Sequence, residues 1–195
     1  MTKLSPIRKS AASQLTEPAV RFLARTRITP SALTWLGFSL ALGAAALIAT
    51  GHLFIAGFVV LVAGLFDMLD GALARYTGRV TRRGAILDST LDRVSEAVLL
   101  LGILVWYTRE LSSVEILLAS VALFSSQLVS YIRARAEALG LECEIGLFTR
   151  PERVIVLVVG LLANQVAIAL GIIVVFSFFT VGQRLLCVRK QTRIE

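Results

Sequence analysis

The chain has 195 residues, of which 56% are hydrophobic and 17% charged, with a formal net charge of +7. A soluble globular domain carries about 25% charged and 45–50% apolar residues. With a mean hydropathy of +0.80, a disordered chain, a disulfide scaffold and an ordinary soluble enzyme are excluded, and a one-domain integral membrane protein of several helices is expected.

Residues 1–28 hold Lys3, Arg8, Lys9, Arg21, Arg25 and Arg27 among Leu4, Ile7, Leu15, Val20, Phe22 and Leu23. No continuous apolar core runs through them, so the expectation is an N-terminal amphipathic helix on an anionic membrane surface and not a cleaved signal peptide. A bundle is expected over 29–190, within a single domain 1–195. Pro30 opens a first span at about 31–50, followed by spans at about 53–76, 86–107 and 113–136. The apolar stretch 154–180 is too long for one span. Asn164 and Gln165 interrupt it, which divides it into a short fifth span, about 150–163, and a sixth, about 166–187.

The basic residues test that division. Six spans put on one side six Lys and Arg up to Arg27, five from Arg75 to Arg93, four from Arg133 to Arg153 and four from Arg184 to Arg193, leaving only Arg109 opposite. Five spans would strand Arg184, Arg189, Lys190 and Arg193. The positive-inside rule therefore favours an all-α, integral membrane helical bundle of six transmembrane helices in the cell (inner) membrane, both termini cytoplasmic. The basic surplus is then topological, and no nucleic-acid partner is expected. Cys143 and Cys187 have no CxxC spacing and are expected as free thiols. His52, beside Gly51 in an apparent turn, is expected at the interface, where one histidine alone does not hold zinc.

The chemistry lies in four aspartates. Asp67 and Asp70, at the end of the second span, are three apart, and Asp88 and Asp92, at the start of the third, are four apart, so each pair shares a helical face. A short loop at about 77–83 lets the two faces meet. Each carboxylate costs about 2.5–3.5 kcal/mol at mid-helix. Two of them about 5 Å apart repel by roughly 3 kcal/mol at an effective dielectric of 20. Two divalent cations balance the four charges, and hard oxygen donors suit Mg²⁺ or Mn²⁺. Such a pair stabilises the attacking and leaving oxygens of a displacement at phosphorus. The bland alternative pairs the aspartates with Arg75, Arg79, Arg82, Arg83 and Arg93. Gly71 and Ala74 lie within a turn of Asp67 and Asp70 and leave room for a bulky ligand, while Arg75 can grip a phosphate oxygen. Gly64, Gly71 and Gly78 recur every seven residues, which also suits a helix-packing stripe.

The run Asp67-x2-Asp70-Gly71-x2-Ala74-Arg75-x8-Gly84-x3-Asp88-x3-Asp92 resembles the signature of the CDP-alcohol phosphatidyltransferases at all eight fixed positions. That resemblance implies attack of an alcohol hydroxyl on the β-phosphorus of a CDP-linked lipid (CDP-diacylglycerol or CDP-archaeol), with release of CMP. It implies that Asp67, Asp70 and Asp88 ligate metal, and that Asp92 both touches metal and acts as the general base. Gly71, Ala74 and Arg75 would cradle the nucleotide and diphosphate. Thr29-Pro30-Ser31-Ala32-Leu33-Thr34 resembles the family's TPNxLT entry to span one, which gives Pro30, Ser31 and Thr34 nucleotide-side roles; Ser31 stands where Asn is common. Thr81 is a further nucleotide candidate. The resemblance also implies a homodimer.

Two more segments bear on the acceptor. Ser130-Tyr131-Ile132-Arg133-Ala134-Arg135-Ala136-Glu137 and Arg150-Pro151-Glu152-Arg153 are similar to the SYxKARAE and RPER segments of the family's inositol-phosphate branch, with Arg133 in the place of Lys. Arg133, Arg153 and, near the end of span six, Arg184 would hold the acceptor phosphate. The preferred acceptor is 1D-myo-inositol 3-phosphate, with glycerol 3-phosphate as the alternative. Two other classes compete. A UbiA-like prenyltransferase also uses Asp-rich motifs, but on helices that one short loop does not join. An ion or proton transporter would show repeats and broken helices near the midplane, and neither is evident.

Overall fold

A computed structural model describes residues 17–26, 28–141 and 145–192. All regular structure among them is helical. Residues 17–24 form α1. The chain continues through α2 (Pro30–Ala49), α3 (Leu53–Tyr76), α4 (Arg82–Arg109), α5 (Ser113–Ala138), α6 (Arg150–Leu162) and α7 (Val166–Thr192). The protein is an all-α, multi-pass membrane helical bundle.

Local signals set the helix ends. Thr29 caps α2, its hydroxyl accepting from the Ala32 N–H at 3.3 Å, and Pro30 follows in the first helical position. At the other end of α2, Arg109 donates through Nη1 to the Ala49 carbonyl at 2.8 Å. The one basic residue expected opposite the rest is thus a C-terminal cap. Thr81 caps α4, with the Gly84 N–H 3.0 Å from its hydroxyl. Asn164, at φ +54°, makes the turn between α6 and α7 where the apolar stretch was expected to break. The Thr149 N–H and hydroxyl both donate to Glu152 Oε2, at 2.9 and 2.5 Å, and lock the start of α6.

Among the described residues four helices, not six, combine the length and apolarity needed to cross a bilayer: α2, α3, α5 and α7. The other two differ for separate reasons. α4 has 28 residues but carries Asp88, Asp92 and Arg93 in its first half and Glu96 just beyond it. α6 has 13 residues, about 20 Å at 1.5 Å each, against a hydrocarbon core of about 30 Å. The helices also overrun the expected spans, α4 starting at Arg82 and α7 ending at Thr192.

The chain forms two compact units. One comprises Met1–Leu40 and Val62–Asp92, the other Ala41–Leu61 and Arg93–Glu195. In the first, Val20 of α1 packs with Leu33 of α2 and Leu73 of α3. So α1 buries Val20 in protein while Phe22 stays exposed. The expected surface helix over 1–28 can be followed only here, because residues 1–16 and Arg27 lie outside the described residues. In the same unit, a Cβ at Gly37 would stand 3.4 Å from the Ala63 carbonyl oxygen and 3.5 Å from Phe66 Cβ, which sets α2 closely against α3.

The second unit packs through small residues, as expected where lipid removes the hydrophobic drive between helices. A Cβ at Gly102 would come within 2.6 Å of the Ala45 carbonyl oxygen, and one at Gly160 within 2.4 Å of Ala169 Cβ. Around these contacts lie Ile48, Val60, Leu100, Ile103, Leu161 and Leu170. Gly64 and Gly78 do not act this way: among the described residues, nothing beyond their own chain neighbours and local helix backbone lies within 4 Å of a Cβ there. Cys187 is disulfide-bonded, contrary to the expected free thiol. Cys143 lies outside the described residues.

Candidate active site

Asp67 and Asp70 project from the last turns of α3 and Asp88 from the second turn of α4. One oxygen from each lies within 4.8 Å of the other two. The five-residue link at 77–81 makes this possible: Gly78, at φ +66°, turns the chain and Thr81 starts α4 within a few residues.

The three carboxylates are not equivalent. Asp70 is 3% exposed, and its Oδ2 is fully buried with no hydrogen-bond partner. The Thr34 hydroxyl and the Gly71 N–H lie near the same carboxylate. The single hydroxyl hydrogen of Thr34 goes to the Pro30 carbonyl at 3.1 Å. Asp67 and Asp88 are half-buried. A buried, unpartnered carboxylate oxygen is costly, and two further carboxylates nearby raise that cost. A cation removes both penalties at once. Three oxygen donors within 4.8 Å suit a hard, six-coordinate ion whose ligands lie about 2.0–2.1 Å away. Asp92 is half-buried one helical turn beyond Asp88, outside that three-carboxylate group.

The nucleotide-side candidates lie around these acids. Ser31 is exposed and Pro30 half-buried at the start of α2. Gly71 and Ala74 are partly exposed, and Arg75 is exposed at the end of α3. The Arg75 guanidinium lies back along the helix, its Nη1 3.4 Å from where a Gly71 Cβ would be. The room left by Gly71 therefore admits a cationic group. Thr81 spends its hydroxyl on the α4 cap. Gly37, which sequence reasoning passed over, brings α2 close to α3 within a turn of Asp67 and Thr34.

The arginines form a separate cluster in the second unit. Arg153 is 2% exposed and Glu96 4%. Arg153 donates through Nε to Glu96 Oε1 at 2.5 Å and through Nη2 to Oε2 at 2.8 Å. Arg184, also 2% exposed, donates through Nε to the Ile145 carbonyl at 3.0 Å and through Nη1 to the Val129 carbonyl. Arg133 and Arg153 both lie within electrostatic range of Arg184, as does Glu137. Arg133 is exposed and pairs with Glu137 at 2.7 Å. The loop beside Arg184 is held by hydrogen bonds from the Leu147 N–H to Gln183 and from the Phe148 N–H to Thr180, both 3.2 Å. Gly146 lets it come close, since a Cβ there would stand 3.0 Å from Thr180 Cγ2 and 3.3 Å from Arg184 Nη2. Glu96, Thr180, Gln183 and Gly146 were not singled out from sequence. Glu96 alone carried a signal, as a carboxylate inside a helix expected to cross the membrane.

A family model described as CDP-alcohol phosphatidyltransferase matches residues 27–182. The chain is 38% identical over 186 residues to the phosphatidylinositol phosphate synthase of Mycobacteroides abscessus, covering 91% of this chain and 84% of that protein. The crystal structure of Mycobacterium tuberculosis phosphatidylinositol phosphate synthase with CDP-DAG bound is similar at a TM-score of 0.82 and 36% identity, covering 90% of this chain and 94% of that one. The same enzyme in complex with manganese and citrate gives a TM-score of 0.79 at 37% identity, covering 89% and 88%. With the aspartate signature, the clustered carboxylates and these matches together, the chain belongs to the CDP-alcohol phosphatidyltransferase family.

Proposed function

We propose that this protein transfers the phosphatidyl-type group of CDP-diacylglycerol or CDP-archaeol to 1D-myo-inositol 3-phosphate and releases CMP. In this reading Asp67, Asp70 and Asp88 hold a divalent cation, and Asp92 completes a second site. The ions, Mg²⁺ or Mn²⁺, neutralise charge on the diphosphate and on the leaving CMP. Asp92 accepts the proton of the acceptor hydroxyl as its oxygen attacks the β-phosphorus and the bond to CMP breaks. Pro30, Ser31, Thr34, Gly71, Ala74, Arg75 and Thr81 form the nucleotide side. Arg133, Arg153 and Arg184 bind the acceptor phosphate, and a dianion suits three arginines better than free inositol or serine does.

The observation that carries this reading is Asp70 Oδ2, buried and unpartnered beside two more carboxylates. A relative of 37% identity has been crystallised with manganese, which supports the metal. Basic residues flanking the apolar helices support a cytoplasmic active site and cytoplasmic termini in the cell membrane. Exposed Phe22 on α1 supports contact of that helix with the inner leaflet. We assign the whole chain to one catalytic domain that works as a homodimer.

An acceptor screen on purified protein tests this. CMP release is measured with CDP-diacylglycerol or CDP-archaeol and, in separate arms, inositol phosphate, glycerol 3-phosphate, inositol or serine. Inositol phosphate is expected to dominate. Dominance of glycerol 3-phosphate would replace the acceptor. Silence in every arm with Mg²⁺ or Mn²⁺ present would leave the aspartates as an ion pathway.

A further inference from the structure

Glu96 is a carboxylate at the point where the reaction proposed above needs positive charge. It is 4% exposed and it faces Arg153, which is 2% exposed. A residue that only had to attract a phosphate would be better off without it. The bonding pattern gives the pair a different use. A guanidinium offers five N–H donors arranged as two forks, one along the Nε/Nη2 edge and one along the Nη1/Nη2 end. Glu96 occupies the first fork with both oxygens, at 2.5 and 2.8 Å. Nη1 reaches the Phe148 carbonyl at 3.4 Å, a long contact that uses one of its two N–H groups. One N–H on Nη1 and one on Nη2 have no partner among the described residues. The Phe148 carbonyl is itself anchored, since its residue's N–H donates to Thr180 Oγ1 at 3.2 Å. The guanidinium plane is therefore held from α4 on one edge and from the loop before α6 on the other.

We infer that Glu96 is a positioning residue, which fixes the plane of Arg153 so that the end fork of its guanidinium meets two oxygens of the anionic acceptor. The inference rests on the acceptor role proposed for Arg153. It also explains the tolerance for a buried ion pair in a membrane protein. Paired on one edge, the arginine can be buried at modest cost and still present two parallel donors. Lysine, a point charge, offers no second fork.

Steady-state kinetics on the full chain separate this from a purely structural pair. Wild type, Glu96→Gln, Arg153→Lys and the double variant are compared, varying inositol phosphate and CDP-diacylglycerol in turn, with thermal stability in detergent measured alongside. Glu96→Gln is expected to raise the KM for inositol phosphate by about tenfold or more, the scale of breaking one buried charge pair, and to leave the KM for CDP-diacylglycerol unchanged. Arg153→Lys is expected to raise the same KM, and adding Glu96→Gln to it is expected to cost little more. Equal rises in both KM values, a fall in stability alone, or full additivity in the double variant would overturn the inference. An unchanged acceptor KM in Arg153→Lys would instead remove Arg153 from the acceptor site, and the inference with it. Should Glu96→Gln not fold, Glu96→Asp keeps the charge but not the reach. An intermediate KM then supports the positioning role, and a wild-type KM rejects it.

Discussion

The aspartates in one compact unit and the arginines in the other are both dense clusters of like charge, but they are satisfied to different degrees. Arg153 has a carboxylate on one edge and Arg184 has backbone carbonyls. Asp70 keeps a buried oxygen with no hydrogen-bond partner. That one unmet oxygen leaves a place for a positive charge. An arginine already neutralised on one side lacks only geometry on the other. The first arrangement is suited to capturing a cation, the second to orienting an anion.

The comparison can be broken at four places. The largest effect is expected at Asp70. Asp70→Asn removes one ligand and its charge, and CMP release should fall by about 10³-fold or more, since ion stabilisation of this kind is worth several kcal/mol and each 1.36 kcal/mol is tenfold. Mn²⁺ binding followed by paramagnetic resonance should weaken with it. Retained activity would show that the acid cluster does not hold the ion. Next is Asp92→Asn. It should lower kcat by about 10²–10⁴-fold, as for loss of a general base, while one Mn²⁺ still binds at Asp67, Asp70 and Asp88. Loss of all Mn²⁺ binding would make Asp92 mainly a ligand. Arg133 is exposed and shares Glu137, so Arg133→Gln should raise the acceptor KM by only about threefold to tenfold, near the value of a charge-assisted hydrogen bond reduced by solvent. A larger rise than in Arg153→Lys would reverse the order assigned to the arginines. The smallest change is Thr149→Ala, which removes the hydroxyl bonded to Glu152 at the start of α6. It should cost about 1 kcal/mol of stability, seen as a lower midpoint of thermal unfolding in detergent.

Much of this protein was legible along the chain because the physics acting there is local. Asp67 and Asp70 share a face by helical spacing, and a five-residue link brings Asp88 to them. Thr29 and Pro30 announce the start of α2, and Asn164 marks the turn after α6. The number of spans was not legible in the same way. An apolar run and the distribution of arginines suggest six, whereas length and composition of the folded helices qualify four. The charged half of α4 and the shortness of α6 show only once the helix ends are known.

Sequence by itself determined the membrane class, the helical content and the four-aspartate motif, since hydropathy and helix periodicity depend on neighbours a few residues apart. Tertiary structure alone decided which charges have partners. Arg153 meets Glu96 from 57 residues away, and Arg109 caps α2 from 60 away. Nothing in local spacing encodes such meetings. They follow from helices packed so closely that Gly102 has no space for a methyl group, which leaves each buried polar group to find its partner across the bundle or, like Asp70 Oδ2, to have none.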